Sequence, residues 1–266
     1  MAAPVIASRA TTSIGSNTTS HSVNLPTGIQ AGDFILILGS FDGSSNSIIS
    51  AYPDSSYHGV ANSIASGGSA SVTVVHRGTG SEGSTASFTS VNSEQSAWVA
   101  YRITGVTWRA NEPASGQSSF GTSGAEAYWP TADSTHYAWV IGDGEDYLGI
   151  VFHGSDDDDT QTGWGPTGWT EENQVISTTG SGTTMLQAAS KSATGNSSKT
   201  LYIPGGATNG FKLAASEESV GHLIVFSGGT VGNALTAHGM LREGAYSNEY
   251  FGRTTTYQKR AIPFHL

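Results

Sequence analysis

The chain of 266 residues has no cysteine, only 12% charged residues and a formal net charge of −10. Disulfides, thiolate metal ligands and a cysteine nucleophile are thereby excluded, and an acidic chain repels the phosphates that a general nucleic-acid binder must neutralise. No basic start leads into a long apolar core, and no apolar window approaches the ~18 residues of a membrane span, so neither a signal peptide nor a spanning helix is predicted.

Glycine accounts for 35 residues and Ser and Thr are abundant, yet six Trp, ten Tyr and nine Phe accompany them. Disordered chains lack such aromatics. Apolar or alternating runs of four to eight residues recur at roughly 10 to 15 residue spacing between Gly, Pro, Asn, Asp and Ser clusters, which predicts an all-β fold of antiparallel sheets.

After a short extension over residues 1–9, HSVNLP (21–26) is an alternating strand before a proline, and DFILILGSF (33–41) a nearly continuous apolar one. YPDSSYHGV (52–60) is a turn carrying the aromatic Tyr57. In SVTVVHR (71–77), Val72, Val74 and Arg77 mark a hairpin arm leading to GTGSEG (78–83). That glycine-rich stretch is a hairpin turn rather than a dinucleotide loop, because no helical pattern follows it. VAYRI (99–103) alternates like a strand with one wet face, and Trp98 beside it and Trp169 are predicted core anchors rather than ligand platforms.

SEQSAWVAYRITG (93–105) is answered by SEESVGHLIVFSG (216–228), identical at Ser93/Ser216, Glu94/Glu217, Ser96/Ser219 and Gly105/Gly228. The likeness extends outward in order. GDFILILGSFDG (32–43) parallels EDYLGIVFHGSDD (145–157), Tyr57 parallels Trp169, and SVTVVHRGTGSEG (71–83) parallels MLQAASKSATGNSS (185–198), with Arg77 opposite Lys191. HSVNLP parallels AEAYWP (125–130), after which the second copy has extra residues, 131–144. This order predicts two tandem antiparallel β-sandwich units of jelly-roll type, at 10–108 and 120–230, joined by a polar linker at 109–119.

Residues 231–266 match neither copy. Within 235–266, Arg242, Arg253, Lys259 and Arg260 outnumber Glu243 and Glu249, a local charge of +2 that leaves residues 1–234 at −12. Aromatics alternate with those charges, which predicts an extended C-terminal arm lying on a partner subunit through Arg242, Tyr250, Phe251, Arg253, Tyr257, Lys259, Arg260 and Phe264.

Chemistry-bearing motifs are sparse. Asp156–Asp159 offer hard oxygens, but they lack calcium-loop spacing and read as a solvated turn, so no metal or other cofactor is predicted. Asp-Gly in GDGED (142–146) suits a tight turn. The histidines His21, His58, His76, His136, His153, His222, His238 and His265 are scattered singly, and His222 in its apolar strand reads as a satisfied core or interface residue rather than a base. Glu94 and Glu217 recur between the copies, as a shared structural role requires and a unique active site does not. No nucleophile elbow, phosphate loop or zinc motif occurs. No catalytic residue is therefore assigned. Trp164 and Trp169 in GWGPTGWTEEN (163–173) are candidates for a glycan surface, and Asp156, Asp158 and Glu172 are the carboxylates on which a hydrolase reading would rest.

The run Pro26, Gly28, Ile29, Gly32, Asp33, Phe34, the closing strand Trp98–Gly105, and the turn Pro166, Gly168, Trp169 together resemble tailed-bacteriophage virion structural proteins. The P-x-GW turn is present only in the second copy. The resemblance covers about residues 10–230 and carries over no catalytic residues. It implies a non-enzymatic capsid decoration (cement) protein in the virion, made in the host cytoplasm. The expected partners are the major capsid protein or other virion subunits and further copies of itself, a trimer being favoured, without nucleic acid or membrane. The alternative is a tail-associated receptor- or glycan-binding protein.

Overall fold

A computed structural model describes residues 3–43, 48–64, 69–106, 114–123, 126–128, 137–140, 146–155, 168–178, 183–193, 200–203, 211–212, 219–228 and 240–241. Every regular element among them is a β-strand. The first half holds β1 (Val5–Asn24), β2 (Phe34–Asp42), β3 (Ile49–Ala51), β4 (Tyr57–Ile64), β5 (Ser69–Arg77) and β6 (Thr85–Thr104). The second holds β7 (Ala114–Ser123), β8 (Glu126–Tyr128), β9 (Tyr137–Val140), β10 (Asp146–Ser155), β11 (Thr170–Ile176) and β12 (Met185–Ala193). It continues with β13 (Thr200–Ile203), β14 (Phe211–Lys212) and β15 (Ser219–Gly228), followed by β16 (Met240–Leu241). β1 begins inside the stretch read as an extension, and β7 inside the stretch read as a linker.

Three antiparallel sheets result. The first runs β1-β6-β2-β5-β4 with β3 on β6, the second β11-β12-β10-β15-β7-β8-β14, and the third β13-β9-β16. The central part of the second repeats the first, with β7, β15, β10, β12 and β11 in the places of β1, β6, β2, β5 and β4. Equivalent pairs keep a constant spacing. His21 opposite Phe88 recurs as Ala127 opposite Phe211, 106 and 123 positions later, and Arg102 opposite Ser8 recurs as Val225 opposite Ala114 with the same two spacings. One irregularity is repeated too: an extra residue interrupts pairing between Gly59 and Ala61 on β4, and between Glu171 and Asn173 on β11. That bulge sets Trp169 where the first half has Tyr57.

The ladders also correct three alignments: laying HSVNLP on AEAYWP sets His21 on Ala125, two positions short of its counterpart Ala127, and two others are off by one. Phe34 faces Ile103 and Arg77, while Leu148 faces Phe226 and Ser192, so Phe34 is the counterpart of Leu148 and Arg77 that of Ser192. Because successive side chains point to opposite faces, the offset aligning Asp33 with Asp146 would have put each core residue on the wrong side.

Alternation explains the packing. Phe34, Leu36 and Leu38 of β2 join Val99, Tyr101 and Ile103 of β6 in a core shared with Leu148, Ile150, Phe152, Leu186, Ala188, Ile224 and Phe226 of the second sheet. The intervening Ile35, Ile37 and Phe41 face a second core with Val72, Val74, Phe88, Trp98 and Ala100. Residues 99–103 therefore have no wet face: all but Arg102 are buried. The second core exists because β6 curls. Phe88 and Trp98 stack with ring centroids 5.3 Å apart, whereas ten residues of straight strand would separate them by about 33 Å. Register shifts between Ile14 and Ser20 bend β1 alongside, and close packing of the folded-over arm follows.

At its other end the shared core turns polar. Ser40 and Thr184 bond across it, Ser69 donates to the Gly154 carbonyl at 3.1 Å, and Thr73 Oγ1 lies 2.7 Å from His222 Nδ1. His153 meets Gln187 within the second sheet. Such pairing is what makes burial of polar atoms tolerable.

Candidate functional site

Among the described residues, a cleft of about 500 Å³ opens in the first half, between the loop joining β3 to β4 and the turn joining β5 to β6. Its floor is a chain of polar contacts. Asp54 accepts from the amide of Ser56 at 2.7 Å and from its hydroxyl. Ser56 Oγ lies 3.1 Å from His76 Nδ1, and His76 Nε2 lies 3.0 Å from Glu82 Oε1. Glu82 is folded back over its own turn, accepting from the amide of Thr79, from its hydroxyl at 2.8 Å and from the Gly80 amide at 3.0 Å. Gly80 supplies the left-handed conformation, φ 84°, that brings those amides together.

Local sequence accounts for each placement. Asp54 and Ser56 make the side-chain-to-backbone turn that Asp favours in loops. His76 stands at the end of β5, opposite Tyr57 in the ladder, and the two rings stack at 4.2 Å and 9°. Tyr57 in turn meets Phe88 edge-on at 6.0 Å, which ties the cleft floor to the second core. Tyr52 packs edge-on to Phe88 at 6.3 Å, with its hydroxyl over Gly59, where a Cβ would collide with it.

The electrostatics follow from burial and bonding. Burial pushes Glu82 up, but the Thr79 amide, His76 and the Thr79 hydroxyl outweigh it and hold the carboxyl down at about 2. The Ser56 hydroxyl and amide hold Asp54 below its usual range. Burial, then the charges of Asp54 and Glu82, raise the Tyr57 phenol to about 12. Ser56, His76 and Glu82 thus stand in hydroxyl, imidazole, carboxylate order. Asp54 competes for the single Ser56 proton, however, so the array presents fixed acceptors and donors rather than a hydroxyl handed to the imidazole.

The predicted site residues fall elsewhere. Arg242, Tyr250, Phe251, Arg253, Tyr257, Lys259, Arg260, Phe264 and Trp164 lie outside the described residues, as do Asp156–Asp159 and Glu217. Met240 and Leu241, just before Arg242, pair with Trp139 and Ala138 of β9 in the same chain. Trp169 is half-buried, and its indole nitrogen finds no partner among the described residues. Glu172, the bulged residue of β11, accepts from Arg9 Nη1 at 2.8 Å and from the Ser190 hydroxyl, while its carbonyl accepts from the same guanidinium at 2.7 Å. It is a clamp between the two sheets. Glu94 is half-buried against Gly43, and burial followed by the charge of Asp42 raises its carboxyl. Asp33 of the Gly-Asp motif binds Arg102 and accepts from the Gln30 amide at 2.7 Å.

Sequence reasoning missed the Asp54, Ser56, His76, Glu82 cluster because its members are spread over three segments. The available signal was Asp54 two positions before Ser56, a turn motif without chemical meaning until His76 is placed opposite Tyr57. Among the described residues, no three of His, Asp and Glu converge as metal ligands. Comparison with protein families, with curated proteins and with solved structures found no match to this chain.

Proposed function

We propose that the protein is a non-enzymatic structural component of a tailed-phage virion, a capsid decoration protein bound to the shell as an oligomer. The finer architecture in this reading is two sandwich units, 10–108 and 120–230, followed by an arm over 231–266 that reaches a neighbouring subunit. One observation carries the scaffold part: the strand order of the first half, with its bulge, recurs in the second, and the two sheets close on a common core. The residues that carry the virion resemblance serve that framework. Asp33 and Arg102 lock the start of β2 to the end of β6, Gly28 and Gly32 hold left-handed turns, and Trp98 fills the second core. An acidic body and an aromatic, locally basic tail suit a soluble particle coat anchored by its end.

Deleting residues 231–266 tests the reading in a capsid-binding assay. The truncated chain is expected to keep its folded spectrum and lose sedimentation with purified capsids. Undiminished binding to shells, or no binding by the full chain, overturns it.

A further inference from the structure

We infer that the cleft beside Tyr52 is a binding site for a neutral sugar, one or two rings in size. Its volume, about 500 Å³, falls in the range of small-ligand sites, about 300–1,000 Å³. Tyr52 is 36% exposed although its edge and hydroxyl are fixed by Phe88 and Gly59. An aromatic ring held in place and left open to solvent is a ready surface for the C–H face of a sugar, and ordering it costs little on binding.

The polar groups match the same ligand. Asp54 is on the rim, its Oδ1 already oriented by Ser56, while Oδ2 has no hydrogen-bond partner among the described residues. A fixed carboxylate oxygen accepts strongly from a hydroxyl. Behind it, His76 and Glu82 are only 3% and 5% exposed and hold Ser56 in one orientation. Ser81 and Ser87 are also among the lining residues, and serine is neutral and can both donate and accept.

Charge narrows the class. Among the described residues no Lys or Arg lines the cleft, so acidic sugars and phosphates would meet two carboxylates without a counter-charge there. Glu82 is committed to its own turn amides, which leaves a single open carboxylate oxygen and one open ring, too few for a caged cation. The inference does not depend on the virion reading, and it places the sugar in the first half instead of at Trp164 and Trp169.

Saturation-transfer NMR of the full chain tests it, with methyl glycosides of glucose, galactose, mannose, rhamnose and N-acetylglucosamine, and tetramethylammonium as the cationic probe. At least one glycoside is expected to bind with Kd of about 1 mM. Tyr52→Ala and Asp54→Asn should each weaken it by about tenfold or more, with Trp164→Ala unchanged. Asp54 lies on the surface, so Asp54→Asn keeps the test open if Tyr52→Ala fails to fold. Four results overturn the inference: no glycoside binding at about 10 mM, binding unchanged in Asp54→Asn, loss in Trp164→Ala alone, or binding of tetramethylammonium alone. Sugar binding without capsid association, or the reverse, separates this site from the proposed virion role.

Discussion

At the start of β4, Tyr57 is buried against His76, and the loop before it opens the cleft; at the start of β11, its counterpart Trp169 is half-buried, with Lys191 in the ladder position of His76. The bulged residues that follow differ as much. Val60 packs on the shared core, while Glu172 clamps Arg9. Pairing order and bulge were kept between the halves while the side chains on them diverged. Backbone ladders require only alternation and hydrogen bonds, whereas each outward position is free to take up a separate task.

The largest effect is expected from Trp98→Ala, which empties the second core beside Phe41 and Phe88. A loss of about 3–5 kcal/mol is expected in urea unfolding. Since the sheets share a core, fluorescence and circular dichroism should still report one transition; two separated transitions would show halves that fold independently.

Acid is the next lever. Burial lowers His21 and His153 to about 4 and His222 to about 3. All three stay neutral when folded and take up protons when unfolded, from pH 6.5 downward. Stability therefore falls as pH drops from 6.5 towards 4, by about 1.4 kcal/mol per pH unit for each histidine at most. Glu82, held at about 2, adds a loss in the same direction below its unfolded value of 4.5. Unfolding free energies measured between pH 7 and 5 should be flatter for His222→Gln than for the parent; equal slopes would place the response elsewhere.

A smaller effect tests the junction of the halves. A Cβ on Gly228 would lie 2.5 Å from Pro4 Cδ and 2.6 Å from the Gly105 carbonyl, so the last residue of β15 touches the glycine that follows β6. Gly228→Ala should cost about 1–3 kcal/mol, read as a lower melting temperature. Smallest is Glu172→Ala, which releases Arg9 and should cost about 1 kcal/mol. A much larger loss there would mean that the sheets depend on this clamp more than on their apolar core.

Much of this architecture is legible in the residues. Glycine, β-branched and aromatic runs with turn clusters specify strands, and the repeated Ser-Glu start and glycine stop mark β6 and β15 as counterparts. The equivalence of Tyr57 and Trp169 is legible as well, because each is an aromatic that follows a proline-containing turn, after Pro53 and Pro166. Register was not: matching the acids of GDF and EDY slides β10 by one residue, and acidic residues at a strand start do not reveal which face their neighbours take. The wet face expected for VAYRI failed for a related reason, since alternation cannot show that the strand curls and covers its own outer side.

Composition and local patterning are enough to specify antiparallel β-structure, because strand propensity and turn chemistry act over a few neighbouring residues. Only the tertiary structure decided that the two sheets close on one core, that Gly105 touches Gly228, and that Asp54, Ser56, His76 and Glu82 meet in a cleft. Those contacts join residues far apart in the chain, and they depend on register and on the bend in β6, neither of which is encoded in any one short stretch.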